Sequence, residues 1–309
     1  MIDFRYHLVS LISVFLALAV GVVLGAGPLQ NSLGTALNDQ VTALRENRNA
    51  TQAKLEQTET AVNERDSYIT QAASSLLPGT LASKNVAMVL LPDAKAEDAD
   101  AIGTQLKNAG ATVTGRVSLT STWVDLSREN YRSTFSGQVQ GHLGGTNSKD
   151  ANGILGEALA KALTANDDSS RVLMDMLSVD KAGTPFVTVD STPTGPAEMI
   201  VVVGPRPQAS SGKGATVEAS PGQDPKAWAK ALAGTAGRAP TVVVGSADGD
   251  DNVVSIIRSE GAKVTTIDSV GQVAASVSVP LALASTQAGT VAHYGFDKGA
   301  DAAMPPVTK

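Results

Sequence analysis

Cysteine is absent from the 309 residues, and that one absence removes disulfides, thiolate zinc sites and cysteine nucleophiles together. Aromatic residues make up only 4%, so the core has to be assembled from Val, Leu, Ile and Ala. Basic residues are in the minority: 24 Lys and Arg stand against 30 Asp and Glu, for a net charge of -6. Nucleic-acid binders usually carry a basic face, so no nucleic-acid partner is expected. Long apolar runs are missing too, with one exception near the N-terminus; "MIVVVG" at 199–204 and "TVVVG" at 241–245 are strand-sized. The length allows about two domains, and a body of roughly 200 residues can be stable by packing alone.

The exception contains "SVFLALAVGVVLGAG" at 13–27, inside an uncharged segment from Leu8 to Leu29. As a helix that segment spans about 33 Å, matching a hydrocarbon core of roughly 30 Å. Residues 8–29 therefore read as a retained transmembrane anchor, with 1–7 as a cytoplasmic N-terminus. The competing reading is a signal peptide cleaved at "GAG", 25–27, although such apolar regions run only about 7–15 residues. Arg5 and the terminal amine precede the segment, Asp3 partly offsets them, and the next basic residue is Arg45. This bias favours the N-terminus inside and the body outside. Ser13, Ala17, Gly21 and Gly25 recur every four residues on one helix face. Small residues so spaced let two helices approach closely, which predicts self-association; the plainer account is that Gly and Ala are common in membrane helices.

Residues 30–77 contain no proline and one early glycine. Placing heptad position a at Val41, Arg48, Leu55, Val62, Ile69 and Leu76 puts Leu37, Leu44, Thr51, Thr58, Arg65 and Ala72 at d. The a column is apolar except at Arg48, and the d column is weaker. Lys54 at g then faces Glu59 at the following e position of a parallel partner. The pattern predicts a coiled-coil stalk of about 70 Å, its seam at Leu37, Val41, Leu44, Leu55, Val62 and Ile69, stopped by Pro78-Gly79. A weak d column also suits a single amphipathic helix folded back on the body. The polar seam positions make the pairing marginal, which would let it exchange partners with another protein's helix.

Residues 82–298 read as an α/β domain of short Val-rich runs alternating with helical stretches. "NVAMVLLPDA", "AEDADAIGTQLKNAG" and "ATVTGRVSLT" read as strand, helix and strand; "PTVVVGSADG", "DDNVVSIIRSEG" and "AKVTTIDSV" repeat that order. Each unit closes its helix on a glycine, Gly110 or Gly261, where positive φ is needed. Two such units predict a mainly parallel sheet. "KDANGILGEALAKAL", "SSRVLMDML" and "DPKAWAKALAG" read as further helices, "PFVTVD" and "EMIVVVG" as strands, and 208–225 as a polar, glycine-rich loop. Residues 299–309 read as a flexible tail.

No catalytic set emerges. G-x-G-x-x-G is absent, and "SSGKGAT" lacks both the hydroxyl residue after lysine and a preceding strand. "GSADG" holds its serine one place too early for a nucleophile elbow. His7, His142 and His293 are not spaced for a helix-borne metal pair, and solvated or structural roles suit His7 and His142. No cofactor is implied. The one candidate ligand site is Asp248, Asp250 and Asp251 in "ADGDDN", at the end of a strand. Open parallel sheets gather ligands there, and three carboxylates could hold a hard cation. Asp93 and the "AEDAD" run at 96–100 occupy the equivalent place in the first unit. The plainer account makes these acids helix caps and dipole partners.

In combination the parts resemble a known family. "VSLISVFLALAVGVVLGAG", the heptads behind it, "LPDA" after the first strand, "AGATVTGRVSLT" and the terminal "HYG…GA" are similar, in order and over the full length, to the actinobacterial family named for the mycobacterial copper transport protein B, MctB. The resemblance implies an envelope protein with its body outside the cytoplasmic membrane. It implies one of two roles: copper handling, or control of peptidoglycan cleavage between daughter cells, since a corynebacterial member is associated with cell separation beside a membrane partner, SteA. It carries no catalytic residues over. The family name favours copper; the residues do not. Cu(I) prefers thiolate and thioether ligands; cysteine is absent, and Met174 and Met176 would point to different faces of a helix, which suits a core role. One transmembrane helix encloses no pore without higher oligomerisation, and the body lacks the roughly ten-residue alternating strands of an outer-membrane barrel. The expectation is a non-enzymatic, single-pass homodimer that acts as an envelope scaffold and regulator of cell separation. Its expected partners are a SteA-like membrane protein and a coiled-coil segment of a peptidoglycan hydrolase or its regulator. Copper transport or efflux is the alternative, and a small-ligand sensor at Asp248 is a third reading.

Overall fold

The computed structural model describes residues 4–26, 28–179, 185–207 and 222–307. The glycine-rich loop expected at 208–225 therefore lies almost wholly outside the described residues, as do Gly27 of "GAG" and residues 1–3 and 308–309. The chain forms two compact units, residues 1–65 and 66–309.

The first unit holds α1 (Phe4–Ala26) and most of α2 (Pro28–Leu76). Among the described residues, α1 is the one helix long and apolar enough to cross a membrane. It starts four residues before the expected anchor, because nothing in Phe4–His7 opposes a helix. Pro28 opens α2 at the first helical position, where its missing N–H would have had no partner. Ser13 Oγ donates to the Val9 carbonyl at 2.9 Å, satisfying the hydroxyl within its own helix. Thr51 and Thr58, the polar d positions of α2, do the same to Asn47 and Lys54, each at 2.7 Å.

The second unit begins in the last turns of α2 and continues through β1 (Asn85–Leu90), α3 (Ala96–Asn108), β2 (Thr112–Leu119), α4 (Glu129–Gln140), α5 (Ala151–Thr164), α6 (Asp168–Ser178), β3 (Val187–Ser191) and β4 (Met199–Val203). It ends with α7 (Lys226–Ala236), β5 (Thr241–Val244), α8 (Val253–Ser259), β6 (Thr265–Ile267), α9 (Val273–Gln287) and β7 (His293–Tyr294). The strands form one sheet in the order β3-β2-β1-β4-β5-β6-β7. Every neighbouring pair is parallel except β2–β3. This is the expected α/β class.

Both faces of the sheet are covered, which is why its central strands read as unbroken apolar runs. Val86, Met88 and Leu90 of β1 enter one core with Met199, Val201 and Val203 of β4. Ala87 and Val89 enter the other with Ile200 and Val202. α3, α9 and the end of α2 close the first core, and α4 to α8 close the second. Ala73 and Leu77 are buried in the first core and Ile69 packs against it, so the body starts before residue 82 and the last seam residue is engaged by it. The scarce aromatics are concentrated in the second core. Phe186 stacks on Tyr131 and Phe135 and meets Trp123 edge-on, and Trp228 stacks on Trp123.

The two strand–helix–strand units exist, with Gly110 and Gly261 at φ +92° and +64°. Their helices lie on opposite faces. β1-α3-β2 steps towards one edge of the sheet and β5-α8-β6 towards the other, and right-handed crossovers in opposite directions place helices on opposite sides. Two helices, α4 and α9, have no counterpart in the sequence reading. α9 contains Pro280 and several β-branched residues, which disfavour a helix; burial of ten of its fifteen residues overrides that preference. The expected tail is also held: Asp301 N donates to the His293 carbonyl at 2.7 Å and Gly295 N to Ala302 at 2.9 Å.

α5 and α7 touch through glycines. A Cβ on Gly156 would fall onto the carbonyl oxygen of Ala231, and one on Gly234 onto that of Gly153. Gly156→Ala is expected to destabilise the protein by about 1–3 kcal/mol through overpacking, measured as a lower midpoint in denaturant unfolding of the full chain.

Candidate functional site

In open parallel sheets the crevice for ligands lies past the carboxyl ends of the strands, where the strand order reverses. Here β1 lies between β2 and β4, so the crevice opens past Leu91 and Gly204. It is bridged. Arg206, after β4, reaches the first turn of α3: Nε lies 2.9 Å from Asp98 Oδ2 and Nη2 lies 2.7 Å from Asp98 Oδ1. Glu97 stands 3.7 Å from the same guanidinium. Gly271, at φ +90°, leaves the space that this guanidinium fills. Beside the pair lies a cleft of about 80 Å³ lined by Asp98, Ile102, Val270, Val273 and Ser276.

A second built feature sits past β6. Asp268 is 0% exposed. Its carboxylate accepts from Arg258 Nη1 at 3.0 Å, Ser269 Oγ at 2.8 Å, and the amides of Phe296 and Asp297 at 2.8 and 3.1 Å. Arg258 comes from α8 with its side chain 6% exposed. It also donates to the carbonyls of Lys298 and Tyr294, each at 3.0 Å, and to Thr266 Oγ1 at 3.2 Å. Gly295 adopts φ +130°, and a Cβ there would fall onto the Asp268 carboxylate. The "HYGFD" stretch is thereby tied over the end of β6. His293 Nδ1 lies 2.9 Å from Thr266 Oγ1; burial and the nearby Arg258 hold its imidazole below the ordinary range.

Asp248, Asp250 and Asp251 are exposed on the turn after β5. They do not cap α8, whose N-cap is Asn252; the N-cap of α3 is Lys95, and neither residue makes a side-chain cap bond. α8 is correspondingly shorter than "DDNVVSIIRSEG" suggested. Side-chain caps come instead from Asp150 on α5 and Asp167 on α6. Asp93 sits in a left-handed turn at φ +63°, and Asp100 pairs with Arg116 at 2.5 Å. Among the described residues no group of three or more His, Asp or Glu is arranged to hold a metal ion. Met174 and Met176 both pack against the second core, and Met88 and Met199 are buried in the first. Arg206, Arg258 and Asp268 escaped the sequence reading, and Asp98 entered it only within the "AEDAD" run, because ion pairs between residues far apart leave no local pattern. The one local signal was Gly295 within "HYG".

Removing Asp268 would leave Arg258 buried without its counter-charge. Asp268→Ala is expected to cost about 3–5 kcal/mol, seen as a lowered thermal midpoint of the full chain.

The family model described as "Copper transport outer membrane protein, MctB" matches residues 1–305. The chain is 30% identical to "Copper transporter MctB" of Mycobacterium bovis and of Mycobacterium tuberculosis, over 97% of this chain and 98% of those proteins. It is 29% identical to the protein of the same name from Mycobacterium leprae, over 99% of this chain and 100% of that one. The order of parts from apolar helix to "HYG" and a match that runs almost from end to end agree: the chain belongs to the MctB family.

Proposed function

We propose that the chain is a membrane-anchored, non-enzymatic scaffold of the cell envelope, working as a parallel dimer through α2. The observation that carries this reading is the apolar row on that helix. Leu37, Val41, Leu44, Leu55 and Val62 are 37% to 68% exposed, and a row of this kind calls for a partner. A second copy anchored in the same membrane offers the same row in the same direction, with Lys54 facing Glu59 across the pair. α1 is the anchor, single-pass with the N-terminus inside, and its face of Ser13, Ala17, Gly21 and Gly25 suits close approach of two copies. The role of the dimer is control of cell separation. In this reading it contacts a SteA-like membrane partner and, through α2, a helical segment of a peptidoglycan hydrolase or its regulator.

The names of the relatives favour a second reading, a component of copper transport or efflux that keeps intracellular copper low. The donor set favours it less: the chain has no thiolate to offer, and its described methionines are scattered between two cores and an exposed C-terminal position.

Leu55→Asp combined with Val62→Asp is expected to shift the full chain in detergent from dimer to monomer, read by chemical cross-linking and sedimentation. In cells the same variant is expected to leave daughters joined at trace copper. Normal separation with this variant would sink the scaffold reading. Growth that fails only as copper rises, with copper accumulating in the cells, would establish the transport reading instead.

A further inference from the structure

Asp297 has a carboxylate oxygen, Oδ2, that is buried and receives no hydrogen bond. Its surroundings give that orphan a meaning. The amide of Asp297 donates to Asp268 Oδ2 at 3.1 Å, so the strap itself holds this residue beside the buried Asp268 carboxylate. Asp248, from the turn after β5, meets Asp297 side chain to side chain. The cation facing this group is Arg258 from α8, and its guanidinium is already committed to Asp268, Thr266 and two carbonyls. That leaves Asp297 with no hydrogen bond from it. Within the strap, Asp301 accepts from the His293 amide at 2.8 Å, and the His293 imidazole bonds Thr266. Two carboxyl groups in contact, one with a buried oxygen lacking a donor, are satisfied by a single proton held between them.

We propose that residues 293–302 form a proton-operated latch: the Asp297 carboxyl holds a proton when the strap is seated, and loss of that proton loosens the strap from the ends of β5 and β6.

The electrostatics run in the same direction. Burial, followed by the charges of Asp268 and Asp248, pushes the Asp297 carboxyl up from 3.8 to about 6. Between those values the native chain holds a proton that the unfolded chain has released. The stability this confers is present at the acid end of the window and is lost as pH rises through about 6. Above it, Asp297 adds its own charge beside the carboxylates of Asp268 and Asp248. Phe296, 65% exposed, rides on the strap, so the latch controls where an apolar side chain is displayed.

The test uses the full chain in detergent micelles, with thermal midpoints at about pH 5 and about pH 7.5 for the wild type, Asp297→Asn and Asp248→Asn. The wild type is expected to lose stability between the two conditions. Asp297→Asn is expected to match or exceed the wild type at the higher pH and to lose that part of the pH slope. Asp248→Asn, which removes one repelling charge, is also expected to raise the midpoint at the higher pH. Exchange of the Phe296 and Asp297 amides, corrected for intrinsic rate, should be faster in the wild type at the higher pH than at the lower. The latch is overturned if Asp297→Asn keeps the wild-type slope, or if both variants are less stable than the wild type at the higher pH. If Asp297→Asn does not fold, Asp248→Asn decides alone, a lower midpoint counting against the latch. A wild-type midpoint raised by calcium at the higher pH, and not raised in Asp248→Asn, would assign the carboxylates to a cation and equally reject the proton.

Discussion

A parallel sheet must be buried on both faces, and that requirement organises the whole second unit. β1 and β4 send alternate side chains into two separate cores, so neither strand is stable unless helices cover both sides. The end of α2, α3 and α9 supply one cover, and α4 to α8 supply the other. The demand explains otherwise odd choices. It keeps Pro280 inside a helix, because losing α9 would expose β4, β5 and β6 together. It brings α5 and α7 so close that only glycine fits at 156 and 234. It also draws the last turns of α2 into the body through Ala73 and Leu77.

The features legible in the sequence are those encoded locally. The apolar N-terminal helix, the long helix, the Val-rich strands and the two glycine-closed helices each follow from a period or a cap within a dozen residues. The parallel direction of β1 with β2 and of β5 with β6 follows from the repeat of strand, helix and strand, but the order of the strands across the sheet does not. α9 was illegible because propensity at Pro280 and the surrounding valines points away from a helix, and only burial reverses it. The candidate site was legible in part. Asp248 was singled out for its place at a strand end, but its neighbours Asp268 and Asp297 lie 20 and 49 residues further along the chain, and nothing local foretells that they meet. Arg206 and Asp98 are hidden for the same reason, 108 residues apart.

The family's name speaks of copper, and the body is built of other chemistry. Three of its buried charged groups are carboxylates, each paired with an arginine: Asp98 with Arg206, Glu157 with Arg238, Asp268 with Arg258. Such pairs hold loops in place more readily than they receive a soft monovalent metal.

The hydroxyls of Thr51 and Thr58 donate to carbonyls one turn back, which changes what it means for a polar residue to stand in a helical seam. A threonine satisfied in this way needs no acceptor from whatever approaches, so it tolerates a neighbour without specifying one. The lifetime of any complex formed along α2 would then rest on the few Leu and Val side chains, so that single methyl groups would set how long two such helices stay together.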